Sequence, residues 1–277
     1  LWVLAWQRPE TLGDEAGSVA VLDMFFSYFY LIVPYFFAGL GIGSLLKELA
    51  GRVGPLYAVN LAGSGAGCFL FVLAITPLGG AATTFLACLV AGLASLALAA
   101  GTDRRTRLLA LAGTLALAAG LVAALFTPQA ILPIPVAGSK LMTKELAISG
   151  VEPELTRWSP ICRIDVVPTT NLQGEINPRV KRIYQDGDAP STIWRGDRWE
   201  ERPDYYDHFF YGLAYLTRTA KRPEVLVIGP GGGVDVENAL HFDASRVTAV
   251  EINPTMLEIV REEYGAFSAH GREHAVY

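Results

Sequence analysis

The sequence predicts a chain in two parts, in which N-terminal all-α transmembrane helices precede a small β-hairpin region and the start of an α/β domain. The first observation is the placement of charge. No Asp, Glu, Lys or Arg occurs from Val53 to Thr102 or from Leu108 to Ser139, whereas charges recur every few residues from Lys140 onward. The second is a strand-like run, a glycine-rich turn, a helix and a further strand after residue 224. The first part is therefore predicted to be solvated by lipid and the second by water.

The predicted domain boundaries follow these changes in composition. The sequence starts at Leu1 rather than Met and ends at Tyr277 without a closing element, so we expect a fragment with a truncated α/β domain. The four predicted regions are a transmembrane region of about four helices at 1–127, a linker at 128–153, a small β-rich part at 154–200 and the first part of the α/β domain at 201–277.

Composition also excludes some classes of partner. The net charge of −5 and a pI near 5.4 provide no basic surface for nucleic acid. The three cysteines, Cys68, Cys88 and Cys162, lack the spacing of a disulfide framework or a zinc site. His270 and His274 are spaced to share a helix face, but no third ligand follows them, which favours a solvated surface. We therefore predict neither a metal site nor a nucleic-acid interface.

Four apolar stretches are each long enough to cross about 30 Å of hydrocarbon. Asp23, in the first of them, is interpreted as a residue of the membrane interface. Gly63 and Gly67 lie four positions apart in the second and predict close packing of helix backbones. The stretches are Val19–Leu46, Leu56–Pro77, Ala81–Ala100 and Leu108–Phe126.

The region after the linker contains strand-like runs at Ile161–Val167 and Val180–Tyr184, rich in β-branched and aromatic residues. Pro168 follows the first run and Asp186-Gly187 the second, so a small antiparallel sheet is predicted. Pro203–Thr217 carries apolar residues on one face and predicts an amphipathic helix. Its aromatic residues, from Tyr205 to Tyr211, are expected to pack against the main sheet.

The glycine-rich turn carries the strongest functional signal. Val225–Ile228 predicts a buried parallel strand, and it leads into Gly229-x-Gly231-x-Gly233 and a helix. Such a turn lets backbone N–H groups and a helix N-terminus approach a ligand without a Cβ in the way. A second strand, Val247–Ile252, contains Glu251, about 20 positions after the first glycine, the offset at which a carboxylate can bind ribose hydroxyls.

The loop separates three classes of nucleotide site. A P-loop requires a lysine that is absent here, and the dinucleotide fingerprint requires glycine where Val234 stands. The spacing instead suits a nucleoside joined to an amino-acid moiety, as in S-adenosylmethionine, on a Rossmann-like domain. Downstream, Asn253 and Pro254 predict the start of a helix that ends at Gly265. Two strands of the sheet are expected in the sequence.

At this point several segments resemble the spermidine synthase family, and specifically its membrane-anchored relatives. Leu56–Cys68 is similar to their second helix, and Ser159–Val167 and Tyr184–Gly187 are similar to their β-hairpin part. Tyr205–His208 falls where the family has a Tyr-His-Glu-like run. Val225–Gly233 together with Glu251 is similar to its nucleoside site.

The resemblance implies transfer of an aminopropyl group from decarboxylated S-adenosylmethionine to a diamine such as putrescine. It places the catalytic Asp beyond Tyr277, so the catalytic residues are unknown. The family's acidic loop residue aligns with Gly232, and Asp235 is the next acid along the chain. The predicted cofactor-binding residues are Gly229, Gly231, Gly232, Gly233, Asp235 and Glu251.

The expected partners are the lipid bilayer, a diamine substrate and a second copy in a homo-oligomer. Two alternatives stay open: an S-adenosylmethionine-dependent methyltransferase, and a non-catalytic nucleoside-binding sensor or regulator. We expect an integral protein of a bacterial inner membrane with its soluble domain in the cytoplasm. Topology conflicts with this, because the basic loops at Lys47 to Arg52 and at Arg104 to Arg107 are both predicted to be cytoplasmic. Four crossings would then leave the C-terminal domain outside.

Overall fold

The computed structural model describes residues 16–171, 173–196, 212–268 and 275–276. It divides into two compact units, Leu1–Ser139 and Lys140–Tyr277. The predicted features at Tyr205–His208, His270 and His274 lie outside the described residues, as do the side chain of Asp23 and most of the predicted helix Pro203–Thr217.

The first unit is helical, and all four apolar stretches fall within helices. The second and third stretches belong to Val53–Ala99, a helical run of two segments joined at a kink. Gly79 interrupts it with φ 74° and ψ 175°, shortly after Pro77, so a kink takes the place of the expected loop. The helices are α1 (Ala16–Glu48), α2 (Val53–Ala99), α3 (Arg104–Phe126) and the short α4 (Pro128–Ile131).

Among the described residues, two helical stretches are long and apolar enough to cross a membrane, Ala50–Ala99 and Arg104–Phe126. Large apolar side chains on these helices are exposed, including Leu73 at 73 % and Phe126 at 81 %. Lipid tails would solvate such side chains, whereas water would not.

Helix α3 packs along the second half of α2 in the antiparallel direction. The ring of Phe85 lies over Gly120, and the Thr114 hydroxyl donates to the Gly92 carbonyl at 3.0 Å. Among the described residues the predicted packing at Gly63 and Gly67 is not found, because no described atom lies within 4 Å of a Cβ built at either residue. The close approach of the helices therefore uses other glycines than the pair selected from sequence.

The second unit contains a four-stranded antiparallel sheet, which confirms the predicted small β region. The two predicted runs lie largely within its central strands. Pro168 lies inside β2 at a register shift instead of ending the strand, while Asp186 and Gly187, with φ 51° and 74°, form the tight β3–β4 turn. The strands are β1 (Leu155–Trp158), β2 (Arg163–Thr170), β3 (Ile176–Gln185) and β4 (Asp188–Trp194), paired in that order.

The predicted linker contains a second helix, α5 (Leu141–Ser149), in addition to α4. Gly150, at φ 67°, ends α5 with its N–H bonded to the Leu146 carbonyl. At its start, Lys140 pairs with Asp188 at 2.9 Å, and the Met142 N–H donates to the Gly187 carbonyl at 2.9 Å. Because these contacts with the β3–β4 turn stabilise α5 from outside, the local sequence did not predict it.

A separate three-stranded parallel sheet follows the short helix α6 (Leu213–Leu216). The sequence predicted two strands for this sheet, and the structure has a third, β7. The sequence did not indicate β7 because it is only two residues long and has no apolar run. In chain order the elements are β5 (Glu224–Ile228), α7 (Val234–His241), β6 (Arg246–Val250), α8 (Pro254–Glu258), a π-helical turn (Ile259–Glu263) and β7 (Ala275–Val276), and the sheet order is β5-β6-β7.

The described residues cover one face of the parallel sheet. Val227 and Val247 pack beneath Val236 of α7, whereas Leu226 is 63 % exposed and Ile228 is 80 % exposed. The predicted parallel strand is confirmed, whereas its predicted burial is wrong within the described residues, since the side chains of β5 alternate between a covered and an exposed face.

The two sheets are joined by a shared apolar core. Met256, Ile259 and Val260, from α8 and the π-helical turn, pack against Ile164 and other residues of the antiparallel sheet. As predicted, Asn253 caps α8 and Pro254 begins it, and the Asn253 side chain accepts from the Thr255 N–H. This packing places the antiparallel sheet beside the carboxyl ends of β5 and β6.

Candidate functional site

The glycine loop joins the carboxyl end of β5 to α7. Gly229, Gly231 and Gly233 have φ values of 72°, 53° and 100°, which lie in the left-handed region that favours glycine. The chain turns sharply here so that helix α7 can pack back onto the sheet. Each glycine in the predicted alternating pattern therefore has a backbone conformation that residues with a Cβ rarely adopt.

The two sides of the loop have different surroundings. A Cβ built at Gly229 or Gly233 meets no described atom within 4 Å. A Cβ at Gly232 would lie 2.5 Å from the Thr192 carbonyl carbon, and one at Gly231 would lie 2.8 Å from the Ser191 hydroxyl oxygen. Strand β4 thus covers the loop at Gly231 and Gly232, whereas Gly229 is exposed and Gly233 is buried.

The loop's own N–H groups are largely engaged within the protein. Gly229 donates to the Val250 carbonyl at 2.8 Å, and Gly233 donates to the Pro230 carbonyl at 2.8 Å. Gly232 donates to the Ser191 hydroxyl at 2.9 Å. A phosphate cradle needs such donors free. The geometry thus favours a ligand that places no phosphate on this loop, which agrees with the inference from Val234.

Glu251 lies immediately beyond β6, on the strand that neighbours the loop. The Gly229–Val250 hydrogen bond extends the parallel pairing to the first glycine, so Glu251 and the loop lie at the same edge of the sheet. One carboxylate oxygen, Oε1, accepts from the Asn253 N–H at 2.9 Å. Oε2 accepts no hydrogen bond from any described residue, and the half-buried carboxylate can therefore accept one from a ribose hydroxyl.

Asn253 is itself held by the turn between β1 and β2. It is 1 % exposed, and its Nδ2 donates to the Ser159 hydroxyl at 3.1 Å and contacts Cys162 Sγ at 3.3 Å. Burial raises the pKa of the Cys162 thiol, so this sulfur stays uncharged at neutral pH. Ser159 and Cys162 therefore position the residue whose N–H orients Glu251, a support that sequence analysis missed.

Asp235 lies in the first turn of α7, where the helix dipole favours a negative charge. Burial raises the pKa of this half-buried carboxyl group, and its charge contributes to the raised pKa of Tyr215. No described residue donates a hydrogen bond to its side chain. Asp235 therefore offers a second carboxylate on the element that follows the loop.

These features together place acceptor groups and an exposed glycine at one edge of the parallel sheet. Gly229 is exposed, Glu251 has an oxygen that accepts no hydrogen bond from a described residue, and Asp235 adds a second carboxylate. Among the described ranges, no group of three His, Cys, Asp or Glu side chains is placed to hold a metal ion. In comparisons with known proteins, no protein-family model matches the chain, and no curated protein matches it.

Proposed function

We propose that the chain is a membrane-anchored, spermidine synthase-like transferase, whose α/β part binds decarboxylated S-adenosylmethionine and transfers its aminopropyl group to a diamine. One observation carries the nucleoside part of this proposal. The left-handed glycine loop after β5 and the Glu251 carboxylate after β6 lie at the same edge of a parallel sheet, where such sheets bind ligands. The acceptor and the transferred group rest on the family resemblance.

The binding residues have separable roles in this proposal. Glu251 accepts from the ribose hydroxyls, and the exposed Gly229 leaves room for the nucleoside against the backbone. Gly232 does not contact the ligand in this scheme but seats the loop on Thr192. The acid that the resemblance places at this position would collide with the β4 backbone. Asp235 takes over as the carboxylate near the loop.

The reaction consists of one substitution. The bound nucleoside supplies an electrophilic carbon attached to a sulfonium sulfur. A neutral amine of the diamine forms the new N–C bond as the C–S bond breaks, and the amine proton leaves to a base. The carboxylates of Asp235 and Glu251 favour cationic groups nearby, and an enclosed site would keep water from the same carbon.

The helical unit supports a membrane location. Ala50–Ala99 and Arg104–Phe126 are long and apolar enough to span a bilayer. We propose that they anchor the protein in a bacterial inner membrane with the α/β part in the cytoplasm, where the nucleoside is made. A reporter enzyme that is active on only one side of the membrane, fused after Ser139, tests that orientation.

Calorimetry on the detergent-purified chain tests the binding step. The Glu251→Gln variant should bind the decarboxylated nucleoside about ten- to a hundredfold more weakly, because it replaces a hydrogen bond to a charged acceptor by one to a neutral amide. Glu258→Gln, the same change at an exposed position on α8, should bind like the wild type. Equal affinity of the Glu251 variant and the wild type would contradict the assignment.

Mass spectrometry tests the chemistry. Putrescine incubated with the decarboxylated nucleoside and the full chain should yield spermidine. A methylated product formed with S-adenosylmethionine would instead identify a methyltransferase. Tight nucleoside binding without any product would favour the sensor or regulator.

A further inference from the structure

A groove of about 480 Å³ opens in the helical unit, where the end of α2 meets the start of α3. Its lining is apolar along Leu98, Leu109 and Ala110, and it carries the hydroxyl groups of Thr102 and Thr106 next to the interhelical loop. The groove combines an apolar length with a polar end. No residue of the glycine loop lines this groove.

Three arginines flank the groove residue Thr106 in the sequence, although none of them lines the groove itself. Arg104, Arg105 and Arg107 are exposed, occupy the start of α3 and form no ion pair with any described residue. Cations at a helix N-terminus oppose the helix dipole and lower helix stability. The helix itself therefore does not explain their placement. The positive-inside rule accounts for basic residues in such a loop, and a negatively charged partner would use the same charges.

Asp103 caps helix α3, and its contacts determine which groups at the helix start can bind an anion. Its carboxylate caps α3 by accepting from the N–H groups of Arg105 and Thr106 at 2.9 Å and 3.1 Å, and from the Thr106 hydroxyl at 2.7 Å. These hydrogen bonds lower the pKa of Asp103, so the cap stays charged. Because the cap engages these amides, an anion would be bound by the guanidinium groups, which form paired hydrogen bonds with phosphate oxygens.

We propose that this groove binds one anionic phospholipid, with its phosphate on the arginines and an acyl chain along Leu98 and Leu109. This inference rests on the membrane location in the proposed function. The charge of the arginines selects an anionic headgroup, and basic sites between membrane helices are known to bind such headgroups. The apolar lining selects a lipid over free phosphate, which would leave it uncovered.

Native mass spectrometry of the full chain tests the charge requirement. The chain is reconstituted in nanodiscs of equal parts phosphatidylglycerol and phosphatidylcholine, and the lipids retained after release are counted. The wild type should retain one phosphatidylglycerol. The double variant Arg105→Gln/Arg107→Gln should lower this retention about tenfold or more, since each basic residue near an anionic surface contributes about fivefold. Lys47→Gln/Arg52→Gln, which removes the same charge elsewhere, should retain the lipid.

A groove-filling variant tests the acyl-chain part without changing charge. Ala110→Leu should lose phosphatidylglycerol, while Ala116→Leu, on an exposed part of the same helix, should retain it. Retention by Ala110→Leu, or equal retention of both lipids by the wild type, would overturn the proposal. A wild-type chain that binds the nucleoside but retains no phosphatidylglycerol refutes this inference alone, whereas a wild-type chain that retains the lipid but does not bind the nucleoside refutes only the proposed enzyme.

Discussion

The helical unit and the α/β unit place the same kinds of apolar side chain in opposite surroundings. In the helical unit Leu73 and Phe126 are 73 % and 81 % exposed, whereas Ile164, Ile183 and Ile193 of the antiparallel sheet are fully buried. A membrane helix satisfies its own backbone hydrogen bonds and can turn apolar side chains toward lipid. A sheet in water depends on burying them. The comparison teaches that apolar content alone does not define a core.

The largest expected effect lies in the sheet core. Ile183→Ala should lower the free energy of unfolding of the α/β unit by about 2–5 kcal/mol, through lost burial and a cavity. Ile32→Ala, at a residue of α1 that is 58 % exposed, should not shift the same transition. Urea unfolding followed by tryptophan fluorescence, with Trp158 and Trp194 in the sheet, measures both variants. Equal shifts for the two would break the comparison.

Replacing a glycine by alanine is expected to change stability in opposite directions in the two units. Gly232→Ala should destabilise the α/β unit by about 1–3 kcal/mol, because its Cβ would meet the β4 backbone. Gly67→Ala, in open space on α2, should instead stabilise its helix by about 0.5–1 kcal/mol. Thermal unfolding of each variant by differential scanning fluorimetry reads out the sign.

A further glycine separates crowding from backbone strain. A Cβ at Gly233 meets no described atom, but the residue has a φ of 100°. Gly232 does not have a positive φ, so Gly232→Ala tests the contact with β4, whereas Gly233→Ala tests backbone strain. We expect both variants to lower the Tm, and an unchanged Tm for Gly232→Ala would show that the contact with β4 is not what requires glycine there.

The smallest effect concerns Asp235, because it is only half-buried. Burial raises its pKa, so its contribution to stability is full below the unfolded pKa, near 3.8, and is lost as pH rises through the folded value. Asp235→Asn cannot ionise, so the variant does not lose this stability as pH rises. The Tm of the ligand-free variant should therefore exceed that of the wild type by an amount that grows from pH 4 to pH 7. An increase independent of pH, or a similar one in Glu258→Gln, would contradict this reasoning.

The candidate site shows which of its features could be predicted from short-range sequence patterns. The spacing of Gly229, Gly231, Gly233 and Glu251 was readable because it records one turn and the offset between neighbouring parallel strands. Ser191, which receives the Gly232 N–H, lies 41 positions away, and Ser159 lies 94 positions from Asn253. No periodicity links residues at such distances, so their roles in the site followed only from the packing of the two sheets.

The sequence by itself determined the apolar helical stretches, the antiparallel pairing around Asp186-Gly187 and the turn after β5, since each depends on backbone preferences and periodicity over a few residues. Tertiary structure alone decided that Gly79 is a kink, that Gly92 and Gly120 rather than Gly63 and Gly67 allow helix packing, and that β4 covers the glycine loop. The physical reason is that a close approach depends on which surfaces meet, and surfaces from distant segments meet only when the whole chain folds.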